Sequence, residues 1–186
     1  LTLILVGIAV NAFATVGIGL FQFLADDGQL RSLVFWTMGS FGRASWDAVI
    51  PASVLMSVGA LVLLSQKRSL DLVQLGEAEA LHLGVDVFLV RKLVILGSAV
   101  AVGAGVALSG IIGFVGLVVP HLVRLLIGAR HQYLLPGSVG LGASIMIVAD
   151  LLSRTIIIPA ELPVSLVTSA IGAPFFLYLI SRLRSS

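Results

Sequence analysis

The chain has 186 residues, a mean hydropathy of +1.16 and only 11% charged residues, where a soluble domain carries about a quarter. That excludes an ordinary soluble domain and makes this an integral membrane protein. Its net charge of +2 is uninformative by itself, and the absence of cysteine leaves no disulfide, thiolate metal site or cysteine nucleophile.

The chain opens on Leu1 inside an apolar run, with no initiator Met and no basic leader, and reads as a fragment whose N-terminal part is missing. Thr2–Ala25 is uncharged and matches the roughly 20 residues that cross a 30 Å hydrocarbon core. Asn11, Thr15 and several glycines interrupt it. Tight packing through small residues is the favoured reading, and a helix facing a polar pathway is the other.

Asp26–Asp47 reads as a polar connector holding Arg31 and Arg43, with Trp36 and Trp46 as interfacial anchors. The run around Gly39 is a candidate short helix dipping back into the membrane. Ala48–Gln66 is the second span, with Pro51 expected in its first turn, where a missing N–H costs little. Lys67 and Arg68 end it.

Asp71–Lys92 is a polar interruption between two uncharged stretches. It is too long for a tight turn and too polar for lipid. Leu72, Leu75, Leu81 and Leu83 form an apolar side, Glu77 and Glu79 suit a helix N-terminus, and Gly84 suits a left-handed C-terminal cap. A short amphipathic helix across the mouth of a bundle fits this pattern, and so does a solvated loop joining two spans.

Leu93–Val123 holds 31 uncharged residues. One straight helix of that length would reach about 46 Å, beyond the hydrocarbon core, and two full spans would need about 40 residues. The expected solution is a span from Leu93 to about Leu108, a tight turn at Ser109-Gly110, and a returning helix from Ile112 to about Ile127, interrupted at Pro120. Such a broken segment belongs inside the bundle, away from lipid. The fifth span runs from Leu134 to about Ser153, with Asp150 and Arg154 spaced for an ion pair on one helix face. Pro159, Glu161 and Pro163 make a rigid connector to the sixth, Val164–Ile180, which Gly172 and Pro174 are expected to break.

If Asp71–Lys92 is cytoplasmic, the inside holds Lys67, Arg68, Arg91, Lys92, Arg124, Arg130, Arg182 and Arg184, and the outside Arg31, Arg43 and Arg154. That division obeys the positive-inside rule and its inverse violates it. Six crossings put both ends inside.

Neither Lys67 nor Lys92 follows a glycine, so no P-loop is present and ATP is not bound and split in that way. His82, His121 and His131 are scattered without metal-ligand spacing, which favours structural or surface roles. The only charge set within a span is Asp150, with Arg154 to neutralise it, which weakens a proton relay.

Ser109–Arg124, SGIIGFVGLVVPHLVR, resembles the signature of FecCD-type permeases, the membrane subunits of binding-protein-dependent ABC importers for iron–siderophores, haem and vitamin B12. The resemblance continues, in order, through WTMGSFGRASW from Trp36, LGEAEALHLGV from Leu75, HQYLLPGS from His131, ADLLSRT from Ala149, PAELPVSLVT from Pro159 and IGAPFFLYLI from Ile171. It covers nearly the whole chain from about Leu30, and Thr2–Ala25 fits the preceding helix.

The resemblance implies an all-α polytopic helix bundle of the type II ABC importer permease kind, with short cytoplasmic coupling helices. Residues 1–186 would be a single permease domain holding the last six of ten helices, with 71–86 as its cytoplasmic coupling segment. Leu75, Gly76, Glu77, Ala80, His82, Leu83 and Gly84 match the segment that docks on an ATPase. Arg154 matches a basic position that meets a carboxylate of the binding protein, in competition with its Asp150 pair, and Arg31 and Arg43 lie on the same outer side. Asn11 and Thr15 would line the path.

The implied partners are a second permease subunit, as a homodimer, two ABC ATPases, a periplasmic or lipid-anchored binding protein, and membrane lipid, with no nucleic acid. The chain itself would bind no cofactor, since ATP and Mg belong to the ATPase, and would not be an enzyme. The implied location is the bacterial inner membrane, with the C-terminus cytoplasmic. The implied cargo is an iron chelate or cobalamin, with GEAEALHLGV closest to haem importers. The competing classes are an ion-gradient-driven carrier and a non-transporting truncated membrane protein.

Overall fold

The computed structural model describes residues 2–42, 44–157 and 162–183, the side chains of 2 and 178–183 excepted. Its described secondary structure is helical throughout, and the chain divides into two compact units, Leu1–Thr37 and Met38–Ser186.

The first unit holds α1 (Thr2–Leu24) and α2 (Asp27–Thr37). The second of these replaces the expected connector with a helix, and its start has a local cause. The Gln29 N–H donates to Asp26 Oδ1 at 2.8 Å, and the Asp26 N–H donates to Gln29 Oε1 at 3.2 Å. This reciprocal capping box satisfies two N–H groups that a helix start otherwise leaves open. The run from Trp36 to Ser40 is the end of α2 and an irregular turn, not a helix dipping back.

The second unit begins with that turn and holds α3 (Trp46–Ser65), α4 (Lys67–Val73), α5 (Glu77–His82), α6 (Val87–Ser109), α7 (Val115–Ile127), α8 (His131–Thr155) and α9 (Val164–Leu183). Four helices, α1, α3, α6 and α8, are long and apolar enough to cross a membrane among the described residues. The 13-residue α7 is about 20 Å long, too short to cross alone.

Two helix pairs organise this unit. In the first, α3 and α6 meet at Gly59 and Gly97, where a methyl group added at Gly59 would lie 2.6 Å from the Gly97 carbonyl oxygen. Only glycine allows backbones this close. In the second, α7 and α8 bury Val119, Val123 and Leu134 against Val115, Leu141 and Ile145, and Gly137 admits the Val123 side chain. A further cluster of Ala149, Val164 and Val167 joins α8 to α9.

The turn between α6 and α7 is Gly110–Phe114. Ser109 and Gly110 are buried, as the length argument required. The Ser40 N–H donates to the Ser109 carbonyl at 2.8 Å, and the Thr168 hydroxyl donates to the Gly113 carbonyl at 3.3 Å, so neighbouring protein satisfies the irregular backbone. Phe114 has φ 65° and ψ −35°, and the Val115 N–H donates to the Gly113 carbonyl at 2.8 Å. This is a γ-turn of the rare positive-φ kind, which costs strain in a residue with a bulky side chain. Its ring packs on α9 at Gly172, where an added methyl group would lie 2.7 Å from the Phe114 Cβ.

Several expectations need correction. Pro51 is the sixth residue of α3, in its second turn, and α7 and α9 run through Pro120 and Pro174 without a break. Proline near a helix start removes only a bond to the first turn, which local adjustment accommodates, and this explains Pro51 and Pro120. Lys67 and Arg68 open α4 instead of closing α3. Arg91 and Lys92 lie inside α6, which begins at Val87, because Asp86 caps it by accepting from the Leu89 N–H at 3.0 Å. Of the Pro159–Pro163 connector, only Leu162 and Pro163 lie within the described residues.

Candidate coupling surface

Asp71–Lys92 is three helical pieces rather than one helix or a loop: the end of α4, the single-turn α5, and the start of α6. Gly76 begins α5 with φ 127° and ψ 147°, a conformation open essentially to glycine alone. Gly84 has φ 81°. Around it the Val85 N–H donates to the Ala80 carbonyl and the Gly84 N–H to the Leu81 carbonyl, at 2.9 and 3.0 Å. These two bonds are a Schellman motif, and they make Gly84 the left-handed cap that its position predicted.

The expected apolar side does not face inward. Leu75, Leu81 and Leu83 are about 60% exposed, and Leu72 belongs to α4, where it is half-buried. The inward contact is made by Ala80, which is fully buried, followed by Val87 and Val90 of α6. A six-residue helix has one inward position per turn, and the small Ala80 fills it. Glu77, His82 and Gly84 are exposed. Leu81 on α5, with Leu75 and Leu83 on either side of it, is thus held outward beside polar groups.

Two polar links hold this segment. The Glu77 carboxylate pairs with the Arg91 guanidinium of α6. Asp71 of α4 accepts from His131 twice, from the backbone N–H at 2.7 Å and from Nδ1 at 2.9 Å. Aspartate is acceptor-only when ionised, so Nδ1 carries the proton, and the Gln74 amide is left to donate to the Ala129 carbonyl at 3.5 Å. Partial burial pushes the Asp71 carboxyl up. The two His131 hydrogen bonds and the His131 and Arg130 charges outweigh it and hold the carboxyl below its ordinary value.

The remaining expected site residues are placed as follows. Arg154 Nε donates to Asp150 Oδ2 at 2.9 Å, so the predicted ion pair is formed, and Arg154 remains 43% exposed. Arg31 is exposed in the first unit, 5.9 Å from the centre of the Phe35 ring. Arg43 lies outside the described residues. On α1 the Thr15 hydroxyl donates to the Asn11 carbonyl at 2.8 Å, which occupies it within its own helix. No group of three His, Cys, Asp or Glu able to hold a metal occurs among the described residues. A cavity of about 350 Å³ between α7, α8 and α9 is lined by side chains such as Leu122, Val148 and Phe175 and is overwhelmingly apolar. No residue of α4 or α5 borders it.

Sequence reasoning overlooked Asp71, Gln74 and Arg91 as partners within this surface. Arg91 stands 14 residues from Glu77, and Asp71 stands 60 from His131. No helical spacing announces either pair.

Among the described residues, several helices are long and apolar enough to cross a membrane, and the short α4 and α5 stand between α3 and α6, which marks a polytopic membrane protein. The profile of the FecCD transport family matches residues 1–182, and the chain belongs to that family. It is 48% identical over 182 residues to the hemin transport system permease HmuU of Yersinia pestis, covering 98% of this chain and 54% of that protein. It is 42% identical to the vitamin B12 import system permease BtuC of Vibrio vulnificus (97% and 54%) and 40% identical to the molybdate import system permease MolB of Haemophilus influenzae (99% and 55%). A metal-chelate type ABC transporter solved in an inward-facing conformation superposes with a TM-score of 0.90 at 40% identity, covering 97% of this chain and 58% of that one. The chain spans about half the length of the curated relatives it matches.

Proposed function

We propose that the chain forms the translocating portion of a permease in a binding-protein-dependent ABC importer of the bacterial inner membrane. It carries an iron chelate, haem ahead of ferric siderophore, or cobalamin, driven by ATP hydrolysis on a partner subunit. The lean to haem rests on the identity with the hemin permease. The single observation that carries the reading is α5, a capped, outward short helix packed on α4 and α6, in a chain that the family matches over residues 1–182. Leu75, Gly76, Glu77, His82, Leu83 and Gly84 form the ATPase contact, and the buried Ala80 seats it on the bundle.

The mechanism is mechanical. Closure of two ATPase subunits moves α5, and the fixed backbone at Gly76 and Gly84 passes that motion to the helices on either side rather than dissipating it in the loop. A second permease copy completes the path, to which α1 contributes Asn11 and Thr15. On the opposite side, Arg154 exchanges Asp150 for a carboxylate of the binding protein, and Arg31 and Arg43 are further candidates for that docking. The C-terminus is cytoplasmic.

The test is reconstitution of the importer in proteoliposomes with its ATPase and binding protein. Glu77→Ala and Gly84→Val are expected to insert normally but to lower uptake per ATP hydrolysed by roughly tenfold, within the range of coupled sites. Full coupling in both variants would refute the role of α5. In the same preparation, an Arg154→Glu variant that binds the binding protein as well as wild type at low salt would remove Arg154 from the docking surface.

A further inference from the structure

If α5 is gripped by an ATPase, its motion must reach more than one part of the bundle, and α5 packs on both α4 and α6. The Glu77–Arg91 pair joins α5 to α6, and α6 is locked to α3 at Gly59 and Gly97. That route meets α8 where α3 packs on it and reaches α7 through the Gly110–Phe114 turn at the far end of α6.

The second route runs through α4, which packs against α5, α6 and α8. Asp71 places one carboxylate oxygen on both the backbone N–H and the ring Nδ1–H of His131, the first residue of α8. The helix has no cap of its own there, since Arg130 offers no capping side chain. A carboxylate at an uncapped helix start satisfies an open N–H and faces the positive end of the helix dipole. Gln74, one turn along, is anchored to the Ala129 carbonyl. With side-chain exposures of 31% for Asp71 and 14% for His131, the pair is better shielded from water than the Glu77–Arg91 pair, at 65% and 49%.

α8 is well placed to carry what it receives. Its 25 residues span about 37 Å, with α7 packed along its first half at Val123 and Gly137. Its far end carries the Asp150–Arg154 pair, and the Ser153 carbonyl there accepts the Leu162 N–H at 3.1 Å.

We propose that the Asp71–His131 pair, steadied by Gln74, is a positioning latch that couples α5 to the α7/α8 pair, so that the two helix pairs move together in each cycle. The proposal rests on the reading of α5 as the ATPase-coupling element. Asp71 and His131 touch neither nucleotide nor cargo in this scheme. They act by holding α4 on the start of α8.

The experiment uses the reconstituted importer and reads ATP turnover and uptake separately. Asp71→Asn and His131→Gln are each expected to leave ATP hydrolysis within about twofold of wild type while uptake per ATP falls by roughly tenfold. The double variant is expected to be no worse than the more impaired single one, as for two partners in one interaction. These 186 residues hold no cysteine, so Asp71→Cys/His131→Cys introduces one defined thiol pair into them, which a short reducible crosslinker can bridge. Bridging is expected to restore uptake per ATP, and reduction to abolish it again. Uptake per ATP at the wild-type level in Asp71→Asn overturns the latch, as does a verified crosslink that restores nothing. Should wild-type importer assemble without ATP-driven uptake, or Glu77→Ala remain fully coupled, the reading of α5 fails first and the latch with it. The crosslink comparison is made on one folded protein before and after reduction, so poor folding of the single variants does not decide the outcome.

Discussion

Asp71 shows how a single side chain departs from what its neighbours in sequence suggest. Its carboxyl is held below the ordinary value because the His131 hydrogen bonds and nearby positive charge outweigh partial burial. A group whose folded pKa is depressed contributes stability above its unfolded pKa, about 4, and loses that contribution as pH falls through the folded value. The stability difference between wild type and Asp71→Asn in detergent should therefore be constant at neutral pH and shrink below about pH 4, as followed by thermal unfolding across a pH series. Local chemistry of this kind was legible only when it lay within one turn. Gly84 declared its left-handed cap, and Asp150 declared Arg154 four residues on. The Asp26–Gln29 capping box is equally local, but Asp26, Asp27 and Gln29 suit a polar connector just as well. The Asp71–His131 contact joins positions 60 apart, and only the fold brings them together.

At the scale of elements, glycine decides which helices touch. Gly59 and Gly97 bring α3 and α6 to backbone contact, whereas Gly103 faces open space. Gly59→Leu should therefore destabilise the protein by about 1–3 kcal/mol through overpacking, read as a lower unfolding temperature in detergent, while Gly103→Ala should not lower it. Composition could not separate these two glycines, because both sit in uncharged apolar helices and differ only in what lies opposite. Span positions were legible for the opposite reason: charge-free length is a property of the sequence alone, and α1, α3 and α8 begin and end within a few residues of the expected limits. The Leu75, Leu81 and Leu83 face failed as a guide to burial because amphipathicity marks an apolar side without saying what covers it. The inward contact went to Ala80.

For the whole molecule, the proposed orientation is the most direct thing to check. A single thiol introduced as His82→Cys should react with a membrane-impermeant reagent only from the cytoplasmic side, and labelling from outside would invert every assignment made for α5 and Arg154. Membrane class followed from hydropathy and charge, and family from motifs spread along most of the chain. The division into Leu1–Thr37 and Met38–Ser186 left no trace in composition, since both parts are equally apolar. The γ-turn at Phe114 joins the α3/α6 and α7/α8 pairs. A backbone kept off its preferred basins holds about 1–3 kcal/mol, like a wound torsion spring, and the phenyl ring wedged on Gly172 is its catch. Gly172→Ala should push that catch off its seat and let the spring run down, and in deuterium exchange the amides of Gly113–Leu117 should then open well before those of α3 and α6.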